Sequence, residues 1–260
     1  MEEFLITPTE LKENINNYRI VDLRPYSNYK RSHIAGAVHA PINIHLSDEN
    51  HNLININHFA SLMSSLGINN ETPIAVYDDN LNKSSCLFWY MMKYYGNHKI
   101  VRVLDGGWQG ATTLPVDTNQ TPIPFTYYNP LKQSNYIYYL PNLIHNFKNV
   151  KIVDTRTKGE WDGTDLYNNP RQGRIPSSVF IAFDEFLPLQ RTQTFADKNK
   201  LEKMAKNANL QKEDIIVTYC QHGARAALCG LALRSIGYNN VIVYEGSMYE
   251  WSRHLALALE

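Results

Sequence analysis

Cys220 is the residue of this chain best placed for chemistry, because it stands where an apolar strand-like run ends and a helix-forming run begins. Ile215, Ile216 and Val217 read as a short buried strand, and Ala226 to Ile236, poor in β-branched residues, reads as a helix. Between them Gln221, His222, Gly223, Ala224 and Arg225 make a short loop, in which Gly223 permits a tight turn. A thiolate there meets the unpaired N–H groups and partial positive charge of a helix N-terminus, and successive amides of a tight loop can converge on an anion. The dipole supplies about 0.3–1 kcal/mol, occasionally about 2, which is about one pKa unit at roughly 1.36 kcal/mol per unit. A free cysteine titrates near ~8.5, so loop hydrogen bonds, with positive charge from His222 and Arg225, must do the rest. Such a sulfur is a candidate nucleophile.

The other cysteines, Cys86 and Cys229, fall in apolar helical stretches and read as small buried hydrophobes. Cys229 follows Cys220 by nine positions, over ten ångströms along a helix axis at roughly 1.5 Å per residue, a poor spacing for a resolving thiol. Three scattered cysteines make neither a disulfide framework nor a four-ligand zinc site, and no ligand cluster suggests a metal or an organic cofactor.

The elements that position Cys220 occur twice. Ile20-Val-Asp-Leu-Arg24 is answered by Ile152-Val-Asp-Thr-Arg156, His33-Ile-Ala-Gly-Ala-Val by Arg174-Ile-Pro-Ser-Ser-Val, and Ile74-Ala-Val-Tyr-Asp78 by Ile216-Val-Thr-Tyr-Cys220. Val101-Arg-Val-Leu-Asp-Gly-Gly-Trp108 is then answered by Val241-Ile-Val-Tyr-Glu-Gly-Ser-Met248, in the same order. Each copy alternates β-rich runs with helical patterns, which predicts an α/β fold with a parallel sheet flanked by helices on both faces. In the first copy the strands are expected at 20–23, 38–40, 74–77 and 100–104, and helices at 8–16, 58–66 and 84–95. The predicted organisation is a first domain at 1–112, an extended linker at 113–134 and a second domain at 135–260. Pro115, Pro122, Pro124 and Pro130 break the linker, and Phe125, Tyr127 and Tyr128 give it something to bury.

Cys220-Gln-His-Gly-Ala-Arg225, continued through Gly237-Tyr238 to Val241-Ile-Val-Tyr-Glu-Gly246, resembles the active loop of the rhodanese sulfurtransferases. Over nearly the whole chain the order of landmarks is similar to the tandem members of that family, in which only the second domain keeps the reactive cysteine. The resemblance implies that Cys220 accepts sulfane sulfur as a persulfide from a small anionic donor, thiosulfate or 3-mercaptopyruvate. It then passes the sulfur to cyanide, a small thiol or a protein such as thioredoxin. Asp78 stands where the first copy would carry its cysteine, so that copy is expected to be catalytically inactive.

The resemblance also bears on the supporting residues. Arg171, in Asn169-Pro170-Arg171, matches a family Glu-Pro-Arg facing the active loop, and lies in a segment, 161–174, inserted relative to the first copy. It reads either as a substrate clamp or as an ordinary loop arginine. Glu160 departs from members that carry a second arginine there. Gln221-His222 matches neither the Arg-Lys of thiosulfate users nor the Gly-Ser of mercaptopyruvate users. The charge of the loop gives thiosulfate a slight preference, with His222 supplying a pH-dependent cation. Arg225 contacts substrate or braces the loop. The Asp22, Arg24, Asp154 and Arg156 signatures, present in both copies, read as paired charges that tie loops together.

Two rival readings differ in class. A phosphatase of the related dual-specificity type places five residues between cysteine and arginine and commonly a histidine before the cysteine; here there are four, after Tyr219. A binding module would keep the loop but take a protein partner. The chain has 260 residues, a formal net charge of zero and a hydrophobic content of 43%, which points to neither nucleic acid nor an anionic membrane. Its N-terminus lacks a basic stretch followed by an apolar run, so a soluble cytoplasmic protein is the expectation.

Overall fold

The structure is a computed structural model and describes residues 4–40, 53–96, 98–189 and 193–260. These form two compact units, one taking the described residues to 133 with Gln193 and Thr194, the other taking 134–189 and 195–260.

In the first unit, β1 (Leu5–Ile6), β2 (Arg19–Asp22), β4 (Val38–His39), β5 (Ile74–Tyr77) and β6 (Val101–Leu104) form one parallel sheet in the order β1-β6-β5-β2-β4. Ile20 lies opposite Ala75, and Ala75 opposite Arg102. Helices α1 (Pro8–Glu13), α2 (Tyr26–Arg31), α3 (Ile56–Ser65), α4 (Lys83–Gly96) and α5 (Gly107–Gly110) connect and flank the strands. In the second unit β8 (Ile137–Tyr138), β9 (Lys151–Asp154), β10 (Val179–Phe180), β11 (Ile216–Tyr219) and β12 (Val241–Tyr244) repeat the pattern as β8-β12-β11-β9-β10, also parallel. Their helices are α6 (Leu140–Asn146), α7 (Lys158–Asp162), α8 (Lys198–Asn207), α9 (Ala224–Ser235) and α10 (Ser247–Arg253). The chain is therefore α/β, with two parallel sheets flanked by helices.

Strands β5, β11 and β12 are buried at every position, as Ile-Ala-Val-Tyr, Ile-Val-Thr-Tyr and Val-Ile-Val-Tyr require: an apolar run without alternation suits a strand covered on both faces. The sequence missed β1 and β8, whose two residues each are too short for a pattern. It also carried the first helix to residue 16, whereas α1 stops at Glu13 and Ile15–Asn17 winds into a 3₁₀ turn.

The segment 113–134 was expected as a linker. To residue 133 it belongs to the first unit, where β7 (Val116–Asp117) pairs antiparallel with β3 (His33–Ile34). Leu131 and Gln133 donate backbone N–H groups to Tyr95 and Tyr94. Only one of its three aromatics is buried: Tyr128 is 0% exposed against Phe59, while Phe125 and Tyr127 are 98% and 74% exposed. Extended backbone sends alternate side chains to opposite sides, so Thr126 and Tyr128 face the unit and their odd-numbered neighbours face away.

Both Val-Asp-x-Arg signatures close the carboxyl ends of their sheets in the same way. Arg24 and Arg156 each lie in a two-pronged ion pair with Asp22 and Asp154, all four buried. Tyr77 and Tyr219 donate their hydroxyls to those carboxylates at 2.6 Å and accept the N–H of Ile34 and Ile175 at 3.2 Å. The four charged residues are structural in both units. They brace the loops around the strand ends, where an open parallel sheet carries its ligands.

Candidate active site

Cys220 is the first residue after β11, beside β9, where the strand order of the second sheet reverses. Gly223 turns the chain at φ 84, a value that costs a side chain but not glycine, and α9 begins at Ala224. The first intrahelical bond runs from Ala227 N–H to Gly223 O at 2.8 Å. The N–H groups of Gly223, Ala224, Arg225 and Ala226 thus lie ahead of it, without i−4 partners. Helix α9 is rich in alanine and leucine, and Ala226 to Arg234 are buried throughout, which fixes its N-terminus firmly under the loop.

Five residues anchor the loop. Met248 N–H bonds Cys220 O at 3.0 Å and Tyr249 N–H bonds Gln221 O at 3.1 Å, both from the first turn of α10. Ser247, itself at φ 50, accepts the Cys220 N–H on its hydroxyl at 3.2 Å and donates that hydroxyl to Tyr244 O at 2.9 Å. Gln221, 2% exposed, turns its amide inward to Asn169, donating at 2.7 Å and accepting at 3.0 Å. Arg225 reaches sideways to Glu160, Nη1 to Oε2 at 2.6 Å and Nη2 to Oε1 at 2.9 Å.

Cys220 is 1% exposed. His222 is exposed, its ring 5.1 Å from that of Tyr249 and 6.2 Å from that of Tyr167. The Arg225 guanidinium lies 5.6 Å from the rings of both Tyr167 and Phe183. Burial pulls its pKa down, but the Glu160 hydrogen bond and the negative charges of Cys220 and Glu160 outweigh burial and hold it well above the usual value. The cation is therefore permanent, and the cysteine sulfur feels it. Cys86 and Cys229 are both buried and unbridged. Burial pushes the Cys229 thiol well up, and the Cys220 charge pushes it further.

Arg171 is not at the loop. Its Nε donates to Ser252 O at 2.8 Å, Nη1 to Leu257 O at 2.9 Å, and Nη2 to Trp251 O at 3.1 Å and His254 O at 2.7 Å. The guanidinium thus caps carbonyls at and just beyond the C-terminal end of α10, two of which, those of Trp251 and His254, also accept the N–H groups of His254 and Leu257, and so ties the inserted segment to that helix.

Sequence reasoning missed Ser247, Asn169 and Glu160 as loop anchors. Signals existed for two. Thr157-Lys-Gly-Glu160 spells a capping box, and Glu160 Oε2 does accept the Thr157 N–H at 3.0 Å while the Thr157 hydroxyl accepts the Glu160 N–H at 3.2 Å. Ser247 aligns with Gly107, whose φ of 57 marks the same left-handed turn in the first copy.

The first unit carries the same loop with different chemistry. Trp108 N–H bonds Asp78 O at 2.9 Å, as Met248 bonds Cys220. The Asp78 carboxylate folds back into its own loop: Oδ1 accepts from Asn80 N–H at 2.7 Å and Asn82 N–H at 3.0 Å, and Oδ2 from Ser85 N–H at 2.8 Å and its hydroxyl at 2.9 Å. Where the second unit has N–H groups ahead of the first intrahelical bond of α9, the first bonds the N–H groups of its loop to its own carboxylate. No helix among the described residues is long and apolar enough to cross a membrane.

Known proteins agree with the repeat. The chain is 29% identical over 236 residues to the mouse (Mus musculus) 3-mercaptopyruvate sulfurtransferase, covering 86% of this chain and 78% of the relative. It is 29% identical over 249 residues to a thiosulfate sulfurtransferase of Corynebacterium glutamicum, covering 89% and 81%. Among solved structures, the 3-mercaptopyruvate sulfotransferase SseA of Escherichia coli superposes with a TM-score of 0.83 at 22% identity, over 94% of this chain and 98% of that one. The sequence profile of the rhodanese-like domain matches residues 7–113 and again 138–254, and the chain, one such domain repeated, belongs to the rhodanese-like family.

Proposed function

We propose that the second unit is a sulfurtransferase that carries sulfane sulfur on Cys220 from a small anionic donor to a thiol or cyanide. The observation that supports this most is the contrast between the two loops: one amide-lined turn holds its own carboxylate, Asp78, and the other holds a sulfur, Cys220, at the N-terminus of α9. The names of the mouse and Corynebacterium relatives support the reaction class.

With thiosulfate, the Cys220 thiolate attacks the outer sulfur, the S–S bond breaks, and sulfite leaves with the electron pair. The terminal sulfur of the resulting Cys220 persulfide is stabilised by the amides of the loop and the helix N-terminus. An acceptor thiolate then attacks that sulfur, and Cys220 leaves as the thiolate, so the cycle has no net redox change at the cysteine. Arg225 keeps a fixed positive charge beside the sulfur, with Glu160 setting its direction.

Thiosulfate is the favoured donor because the loop joins a helix N-terminus to the exposed His222. One observation favours 3-mercaptopyruvate instead: the guanidiniums of Arg171 and Arg225 are already bonded within the unit, which leaves fewer fixed cations for a dianion. With that donor a C–S bond breaks and pyruvate leaves as its enolate, taking a proton from solvent.

Intact-protein mass spectrometry after incubation with each donor tests the reading. The wild type is expected to gain one sulfur atom, and Cys220→Ser none. A gain retained in the Cys220→Ser protein overturns the assignment. A wild type that gains nothing from either donor moves the protein to the class of binding modules.

A further inference from the structure

Gln221 follows the reactive cysteine directly, yet its side chain is withdrawn from the mouth of the loop. Its amide and that of Asn169, 7% exposed, form a closed pair at 2.7 and 3.0 Å, and the buried Ser252 hydroxyl of α10 donates to Asn169 Oδ1 at 3.2 Å. Each polar group of this pair is buried with its partner, so neither side chain can leave without stranding the other.

Asn169 is itself held from both sides. It follows two consecutive non-glycine residues in the left-handed region, Tyr167 at φ 44 and Asn168 at φ 61, a conformation that persists only where surroundings enforce it. The Tyr167 N–H bonds Asp165 Oδ1 at 2.9 Å, and beyond Pro170 the Arg171 guanidinium fastens the segment to the end of α10. The inserted segment that carries Asn169 is thus clamped onto the helix whose first turn holds the backbone of Cys220 and Gln221.

We infer that Asn169 is a positioning residue for sulfur transfer: by holding the Gln221 side chain inward it fixes the turn after Cys220 and leaves His222, between Tyr167 and Tyr249, as the loop side chain that meets the donor. This rests on Cys220 being the sulfur carrier. Of the other loop side chains, Arg225 is turned to Glu160, Gly223 has none and Ala224 offers a methyl group. The insertion therefore acts through the loop rather than by clamping substrate with Arg171.

The test is a double-mutant cycle on the rate of Cys220 sulfur uptake from thiosulfate, read by quenched intact mass, with thermal melts of each variant. Asn169→Ala and Gln221→Ala are each expected to slow uptake at least tenfold. The double variant should be no slower than the worse single one, because both changes break one pair. The steady-state loss should fall mainly on kcat, with KM for thiosulfate within about threefold of wild type. Wild-type uptake in either single variant, or losses that multiply in the double, overturns the inference. Asn169→Asp keeps the volume and the acceptor oxygen but removes the donor to Gln221 Oε1, so it serves if Asn169→Ala does not fold. It should also be slowed, and uptake at the wild-type rate in that variant is likewise fatal. If wild type itself takes up no sulfur from thiosulfate or 3-mercaptopyruvate, the sulfur-carrier reading fails, independently of what Asn169 does.

Discussion

Arg225 and Glu160 meet in a two-pronged ion pair, at 2.6 and 2.9 Å, with the carboxylate 1% and the guanidinium 13% exposed. Removing one partner of a buried pair strands the other charge and costs about 3–5 kcal/mol, whereas Lys at 225 keeps the charge but loses the fork. Glu160→Ala is therefore expected to lose several kcal/mol and Arg225→Lys less. Sulfur uptake should fall in both, since the cation beside Cys220 is no longer aimed.

The same pair sets a pH dependence. Burial, the largest single influence on Glu160, pushes its carboxyl up, but the Arg225 hydrogen bond and charge and the Thr157 bonds together hold it below the ordinary value of 4.5. A carboxyl depressed in the folded state stabilises fully above its unfolded pKa, and that stability is lost as pH falls through the folded value. The gap between wild type and Glu160→Gln, measured by urea unfolding, should thus be constant above about pH 5 and shrink on acidification. A gap independent of pH down to acid unfolding is the outcome that contradicts this.

Asp78 behaves in the opposite sense. Burial dominates and pushes its carboxyl up, although the Ser85, Asn80 and Asn82 hydrogen bonds pull it partly back. A raised carboxyl favours folding most below its unfolded pKa and loses that advantage as pH rises through the folded value. Replacing it by Ala empties the cradle and leaves the amides of Asn80, Asn82 and Ser85 without their acceptor, at a cost of about 2–4 kcal/mol. Added sulfate should then restore part of the lost melting temperature by refilling the nest. Because sulfate stabilises proteins generally, the relevant quantity is the rise in Asp78→Ala beyond that of wild type at matched ionic strength. Equal responses would show that the loop does not accept an external anion.

The repeat, the sheet and the position of Cys220 were legible in the sequence because each is local: a buried strand, a glycine and a helix-forming run occupy consecutive residues. The loop anchors were not, since Asn169, Glu160 and Ser247 lie 52, 65 and 27 residues from their partners Gln221, Arg225 and Cys220. Arg171 shows the limit most clearly. Its type and neighbourhood suit an anion clamp, but only the fold reveals that α10 ends beside it with carbonyls to satisfy.

Arg171 gives the fourth prediction. Met at this position keeps most of the stem but removes the donors to the carbonyls of Trp251, Ser252, His254 and Leu257. The carbonyls of Trp251 and His254 keep the N–H groups of His254 and Leu257, so the loss falls on those of Ser252 and Leu257. At about 1–3 kcal/mol for an acceptor left unpaired, part of which water recovers, Arg171→Met should lose roughly 1–3 kcal/mol. If the residue instead holds the donor, its loss should appear as a KM for thiosulfate raised tenfold or more. Chemical denaturation and steady-state kinetics on one preparation separate the two, and a large KM effect with unchanged stability would restore the clamp.

Ser247 offers the most discriminating pair of variants. At φ 50 it occupies a region that costs an L side chain about 1–2 kcal/mol, and the first copy solves the same turn with Gly107 at φ 57. The serine is retained against that cost by its hydroxyl, which joins the Cys220 N–H to Tyr244 O, a pair of bonds worth about 1 kcal/mol each. Ser247→Gly removes both the strain and the bonds, so its stability should lie within about 1 kcal/mol of wild type. Ser247→Ala removes the bonds and keeps the strain, and should lose about 2 kcal/mol. Sulfur uptake should fall to the same extent in both, because each leaves the Cys220 amide unanchored. Equal stabilities for the glycine and alanine variants would show that the left-handed turn carries no strain, and wild-type uptake in both would remove Ser247 from the loop's anchors.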